Sequence, residues 1–155
     1  MNTKKIKIGI HNFLISTCDY KKYMEKTWRV AKINNKFYIQ HPYNKNGKLK
    51  MMYFHRYIIN CPKGKVVNFI DGDTFNCTRD NLRICTRGQT VMNRGKYKNN
   101  KVGYKGVTMS YGSYRAGIYK NKKYIYLGRY ETPELAYAAY CAGAKKYHGK
   151  FANLG

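Results

Sequence analysis

Apolar and polar residues alternate with period two through much of this chain, and that period predicts short strands. It runs through KIKIGI (Lys5–Ile10), TWRVAKI (Thr27–Ile33) and KFYIQHPY (Lys36–Tyr43). Asp19–Lys26 between them suits a short helix. Asn34-Asn35 and the NKNGK run at Asn44–Lys48 read as turns, because Asn and Gly tolerate positive φ. MMYFHRYII (Met51–Ile59) follows as a strand, or a strand running into a helix. Gly72-Asp73 supplies a further turn, and Thr78 or Asp80 is placed to cap a short helix through Arg83. TRGQTVMNRGKYKNN (Thr86–Asn100) has no sustained apolar period and reads as a linker or extended arm. GYKGVTM, SYRAGIYK and KYIYLGRY are then three strands, separated by turns at Tyr111-Gly112 and Asn121-Lys122. Thr132, Pro133 and Glu134 open a helix that reaches about Tyr147 and stops at Gly149. It offers Leu135, Ala136, Ala139, Tyr140, Ala142 and Ala144 for packing. Leu127, Tyr130 and Phe151 are further core candidates, as is Trp28, the only Trp.

Charge changes the picture most. The 155 residues carry 31 Lys and Arg against 7 Asp and Glu, a formal net charge of +24. Such a charge repels itself in the compact state and makes sense with a polyanion, which gains affinity by releasing condensed counterions. No acid lies between Asp80 and Glu131, a stretch holding twelve bases. The 17 tyrosines pack well on half-buried sheets and also offer rings and hydroxyls to nucleic acid. Five widely spaced cysteines form no C-x-x-C pair, so neither a zinc ribbon nor a disulfide framework is indicated. Reduced, mostly buried thiols in an intracellular compartment are expected. The apolar run near the N-terminus is too short for a signal peptide or membrane span.

The run Val67–Arg83, VNFIDGDTFNCTRDNLR, resembles the HNH endonucleases of phages and large DNA viruses, in which it reads V-D-H-I-N-G-D-x-L-D-N-R-x-x-N-L-R. Val67, Ile70, Gly72, Asp73, Asn81, Leu82 and Arg83 match. The resemblance implies a β-hairpin followed by a helix with a metal between them. A carboxylate and an amide hold a hard cation there, and an imidazole activates water. This chain has Asn68 for the carboxylate, Phe69 for the imidazole and Cys77 for the middle Asn, and it keeps Asn81. An amide binds a hard cation more weakly than a carboxylate, and a phenyl ring accepts no proton. Asp71, on the face of Phe69 by alternation, Asp73 and Asn81 are the remaining metal candidates. His55 stands where the family's base usually does not.

The I-S-x-C-D-Y-x-K-Y-x-x-x-x-W run from Ile15 and F-H-R-Y-I from Phe54 look like the front half of the same family. Y-K-G-V, Y-R-A-G-I, Y-L-G-R-Y, an alanine-rich helix and H-G-x-F-A-N-L, over Gly103–Leu154, resemble the ethylene-response-factor (Apetala-type) DNA-binding domain. That resemblance implies a sheet lying in a major groove. Lys105, Thr108, Tyr114, Arg115, Tyr119, Tyr124 and Arg129 would then face the nucleic acid, with Tyr126 nearby. Arg115 is the strongest candidate, a planar fork suited to guanine or phosphate. Arg79, Arg83 and Arg87 beside the altered site, and Arg94, Lys96, Lys98 and Lys101 in the linker, are phosphate candidates.

The expected fold is α+β: a degenerate HNH (ββα-metal-like) module followed by a three-stranded antiparallel sheet packed on one helix. Its parts are a β-rich region (1–50), the HNH-like segment (51–87), a basic linker (88–101) and the Apetala-type domain (102–155). The expected function is binding of duplex DNA without cutting, in a phage or viral setting, with the host cytoplasm or nucleus as location. No cofactor is expected, and Mg²⁺ only if nuclease activity remains. The alternatives are an atypical nuclease using Asp71 or Asp73, and a factor that binds RNA, a ribonucleoprotein or a polymerase.

Overall fold

The structure, a computed structural model, describes residues 2–155. The architecture is α+β with several small sheets, and it divides into two units, one ending at Thr86 and one spanning Arg87–Gly155. Among the described residues no helix is long and apolar enough to cross a membrane.

The first unit begins with a hairpin of β1 (Thr3–Ile8) and β2 (His11–Ser16), turned at Gly9 with φ +59°. Period two does not announce β2, since HNFLIS is nearly all apolar after Asn12. Its Phe13 and Ile15 are nonetheless among the most deeply buried residues of this unit's core. A 3₁₀ turn, Thr17–Asp19, leads into α1 (Tyr20–Met24). Next come β3 (Arg29–Ile33), β4 (Lys36–Lys45) and β5 (Lys48–Tyr53), an antiparallel meander in the order β3-β4-β5. Its turns fall where expected, at Asn34-Asn35 (φ 49° and 61°) and Asn46-Gly47 (φ 52° and 71°). Positive φ at both central residues matches the twist of the flanking strands. The chain then runs from β5 straight into α2 (Phe54–Ile58), the second of the two expected forms.

The next strands, β6 (Val66–Phe69), β7 (Asn76–Cys77) and β8 (Leu82–Cys85), carry the altered run. β6 pairs antiparallel with β8, and β7 pairs in parallel with β2. The helix expected from Thr78 or Asp80 through Arg83 is replaced by one 3₁₀ turn, Arg79–Asn81, and then by β8. Thr78 gives no side-chain cap, and its hydroxyl donates to Asn76 Oδ1 at 2.8 Å. Pairing with β6 buries Leu82 and Cys85, a gain that one capped turn does not offer. The core gathers Ile6, Phe13, Ile15, Trp28, Ile39 and Phe54 with Phe69, Cys77 and Leu82. Trp28 is core, its indole N–H donating to the Tyr23 carbonyl at 2.8 Å. Only Cys77 and Cys85 of the five cysteines are buried, so the expectation of mostly buried thiols fails.

The second unit opens with α3 (Arg87–Met92), where sequence suggests a linker or extended arm. Beyond it the chain folds on itself. Asn100 accepts from the N–H groups of Val102 and Gly103 and donates to the Tyr104 carbonyl. Local polar capping of this kind needs no apolar period, which is why periodicity missed it. Three strands follow, β9 (Val107–Ser110), β10 (Ser113–Lys120) and β11 (Lys123–Tyr130), in the order β11-β10-β9. α4 (Pro133–His148) packs on them, capped by Thr132, whose Oγ1 accepts from Leu135 N at 3.3 Å. Ala136, Tyr140, Gly143 and Ala144 form the buried stripe, spaced by three and four. Leu135 and Ala142 were expected to pack but lie off that stripe and are exposed. Gly143 takes their place, because a Cβ there would stand 2.7 Å from Leu127 Cδ1.

Candidate nucleic-acid interface

Asn68 and Phe69 are the last residues of β6, and both are buried. Asn68 pairs across the sheet with Arg83, and its Oδ1 accepts from Arg83 Nε at 2.8 Å. The Phe69 ring packs edge-on to His55, with centroids 5.1 Å apart, and lies 6.4 Å from Tyr38. Asp71 does not share the face of Phe69, because the strand ends at Phe69. The chain turns through Gly72 (φ +80°), and Asp71 is left exposed. Its carboxylate organises this turn. Oδ1 accepts from Asp73 N and from Asn81 Nδ2, and Oδ2 accepts from Asn76 Nδ2, each at 2.8 Å. Asp73 Oδ1 accepts from Phe75 N at 2.9 Å. Asn81 is engaged at both ends: Oδ1 accepts from Asp71 N, and Nδ2 also donates to the Asn76 carbonyl.

That donor set does not fit a hard divalent cation, which wants several carboxylate or carbonyl oxygens turned toward one point. Strand β6 presents an amide and a phenyl ring. The Asn81 oxygen and both Asp71 oxygens already accept hydrogen bonds within the turn. Among the described residues no group of three or more His, Cys, Asp and Glu side chains is arranged to hold a metal. Cys77 adds no ligand: it is buried, its thiol is pushed up to about 12 by burial, and its Sγ donates to the Thr74 carbonyl. His55 lies in an aromatic box of Tyr38, Tyr53 and Phe69. Burial, helped by the charge of Arg56, lowers it to about 4, so it is neutral at pH 7 and closed off from solvent.

The arginines of this segment and the bases that follow it in sequence differ in use. Arg79 is committed inward, its Nε and Nη2 binding both oxygens of the fully buried Asp19 at 2.8 and 2.7 Å. It therefore leaves the set of phosphate candidates. Arg83 braces Asn68, as described. Arg87, Arg94, Lys98 and Lys101 are exposed, and Lys96 is exposed with its ammonium on the Gly103 carbonyl at 2.9 Å.

In the second unit, the face of β9-β10-β11 turned away from α4 carries most of the remaining candidates. Thr108, Arg115 and Arg129 stand in one row across three strands. Arg115 Cζ lies 5.6 Å from the Tyr126 ring centroid. Tyr119 and Tyr124 face each other across β10 and β11 at 5.2 Å. Tyr119, Tyr124 and Tyr126 are all exposed. Gly117 makes the platform flat: a Cβ there would overlap the Tyr124 hydroxyl, so the ring lies across bare backbone. Two of the candidates point elsewhere. Tyr114 packs with Val107, Ala116 and Ala136 on the helix side. Lys105 donates to the Asn153 carbonyl at 2.6 Å and to that of Met92 at 3.4 Å, and burial lowers its pKa. Strand alternation at the start of β9 does not foretell such a tether.

A hairpin ending in Asn68-Phe69, closed onto Asn81 and followed by α3, is the geometry on which one comparison bears. Residues 60–92 match the HNH endonuclease family model. No curated protein and no solved structure matches the chain. The match covers the hairpin and α3 and points this HNH segment toward nucleic acid. Sequence reasoning missed three residues of the segment's framework. Asn76 clamps Asp71 and Asn81, Ser16 Oγ accepts from Arg79 N, and Asp19 neutralises Arg79. Only the N-C-T spelling at Asn76 hinted at an Asx turn, and the other two come from a segment 60 or more residues away.

His55 makes the HNH segment's stability depend on pH. Its folded pKa, about 4, lies below the unfolded value of 6.5, so the unfolded chain binds more protons between those limits. Stability is full above the unfolded pKa and falls as pH drops toward 4. At pH 5 the first unit is expected to be about 2 kcal/mol less stable than at pH 7.5. His55→Phe should flatten that window, as read by urea denaturation at the two pH values.

Proposed function

We propose that the protein binds nucleic acid, duplex DNA above all, and holds it without metal-dependent cleavage. The observation that carries this reading is the pairing of a closed HNH segment with an open basic face. Asn68 and Phe69 stand where the reaction needs a carboxylate and an imidazole, and Asp71 and Asn81 are consumed by one turn. Arg115 and Arg129 meanwhile stand side by side on adjacent strands of an exposed sheet. Like charges directly opposite on a sheet are unfavourable unless an anion covers them. An Arg stacked on Tyr126 is pre-set for bidentate donation to guanine or phosphate. The resemblance of residues 103–154 to the Apetala-type domain supports duplex DNA, whose major groove is wide enough for such an element.

The test is fluorescence anisotropy on duplex DNA across a salt series, with and without Mg²⁺, beside a supercoiled-plasmid nicking assay. Duplex binding is expected to be unchanged by Mg²⁺, with no nicking. The double variant Arg115→Ala/Arg129→Ala should weaken binding by about 10- to 100-fold, and its salt slope should be about two smaller. Mg²⁺-dependent nicking abolished by Asp71→Ala would overturn the non-cutting part and favour the atypical nuclease. Tighter binding to structured RNA than to duplex DNA would overturn the choice of DNA.

A further inference from the structure

The β4–β5 hairpin reaches past the sheet that supports it. β3 pairs with β4 only as far as Gln40, opposite Arg29, whereas β4 and β5 stay paired out to Lys45 and Lys48. Five further residue pairs, about 17 Å at ordinary strand rise, therefore form a two-stranded ribbon. Every residue from Asn44 to Lys50 is exposed, so the tip packs on neither face. Its turn is well made, with Asn46 and Gly47 at positive φ. Nothing about it is loosely specified, yet it buries nothing.

Register sorts the ribbon's charges onto one side. Lys45 faces Lys48, and Tyr43 faces Lys50 two residues further in. By alternation Tyr43, Lys45, Lys48 and Lys50 share a face, while Asn44 and Leu49 occupy the other. Lys45 and Lys48 are like charges directly opposite, an arrangement that destabilises a hairpin left alone. No Asp or Glu occurs anywhere between Glu25 and Asp71, so no neighbouring stretch of chain supplies a counter-charge. A ribbon with three ammonium groups on one face, its outer residues Asn44–Lys50 all exposed, is built to meet an external polyanion.

We propose that this ribbon is a second DNA-contacting element, its lysine face laid against the phosphates of a duplex. The inference rests on the nucleic-acid reading above but uses residues outside that site. A duplex is favoured over a single strand on two grounds. It presents one charge per about 1.7 Å of axis, twice the density of one strand, so three lysines confined to a short ribbon neutralise more phosphate on it. A two-stranded ribbon also fits a B-form major groove about 12 Å wide. Lysine suits the task, being a flexible point charge that meets phosphate without reading sequence.

The experiment compares wild type, Lys45→Ala/Lys48→Ala/Lys50→Ala, the matching triple Arg variant and Arg115→Ala/Arg129→Ala. Each is titrated with duplex DNA, and with the same sequence as a single strand, over a salt series. The triple Ala variant is expected to lose about tenfold or more in duplex affinity near physiological salt. Its slope of log K against log salt should shrink by two to three. The Arg variant should bind as wild type does. Acetylation of the unmodified protein gives an independent readout: bound duplex should protect Lys45, Lys48 and Lys50. Unchanged duplex binding by the triple Ala variant, with Arg115→Ala/Arg129→Ala impaired, would overturn the ribbon and leave the sheet reading intact. Absence of binding by wild type to any nucleic acid would overturn both. An equal loss on single strands would overturn the choice of a duplex.

Discussion

Arg79→Met is expected to destabilise the first unit by about 3 kcal/mol, enough to lower its melting temperature by about 12–24 °C. Asp19 is fully buried, and both of its oxygens are held by Arg79, at 2.8 Å by Nε and 2.7 Å by Nη2. Nη2 donates also to the Ile58 carbonyl at 2.8 Å, and Arg79 N donates to Ser16 Oγ at 2.9 Å. One side chain thus ties the turn after β2, the end of α2 and the HNH segment together. Removing it strands a carboxylate in the interior, which costs far more than the pair contributes. The lower end of the usual range applies, because the Arg79 side chain is 37% accessible and water softens the loss. Asp19→Leu/Arg79→Leu should recover part of the stability, since no charge is then left alone. Guanidinium titration of the wild type and these two variants provides the measurement. A loss below about 1 kcal/mol for Arg79→Met would place the pair among ordinary surface ion pairs.

Gly106→Ala is expected to be as damaging in the second unit, by about 4 kcal/mol, with loss of the folded sheet near physiological temperature. Two costs add. Gly106 has φ +74°, a left-handed conformation that costs an L side chain about 1–2 kcal/mol. A Cβ there would also overlap the ring of Tyr140, which is buried beside Ile118 and Ala144 and has no room to withdraw. The Gly106 carbonyl accepts from Gly117 N at 2.9 Å, so the shift would reach the strand carrying Arg115. Gly112→Ala separates the two terms. Its φ is +70°, yet a Cβ there meets nothing within 4 Å, so it should cost only about 1 kcal/mol. Thermal melts of the two variants, read by tyrosine fluorescence, distinguish overlap from backbone strain.

The legible parts of this protein are those encoded within a few residues. Asn34-Asn35, Asn46-Gly47, Tyr111-Gly112 and Asn121-Lys122 all carry positive φ where their spelling placed turns. Thr132-Pro133 opens α4 and Gly149 ends it. Where an apolar run lacked alternation, as in β2, or a helix was only six residues long, as in α3, period gave no signal. Leu135 shows the same limit from the other side: its apolar character suggested burial, but its position one residue before Ala136 turns it outward.

Lys105, Arg79 and Arg115 make the same point for the candidate sites. On paper they are three basic residues beside motifs. In the fold, Lys105 holds carbonyls of residues 13 and 48 positions away, Arg79 holds a carboxylate 60 positions away, and Arg115 lies on a bare face. Asp71 had the chemistry for a metal, and only the arrival of Asn76 and Asn81 at its oxygens shows where that chemistry is spent.

Sequence alone thus determined the turns, the strand-strand-strand-helix order after residue 106, the basic character and the altered HNH frame, because propensity, net charge and motif spelling are local or additive. Which bases remain outward, how the Asp71 turn closes and which ribbon projects were decided by tertiary packing. Desolvation and hydrogen-bond pairing depend on neighbours that the chain order keeps far apart.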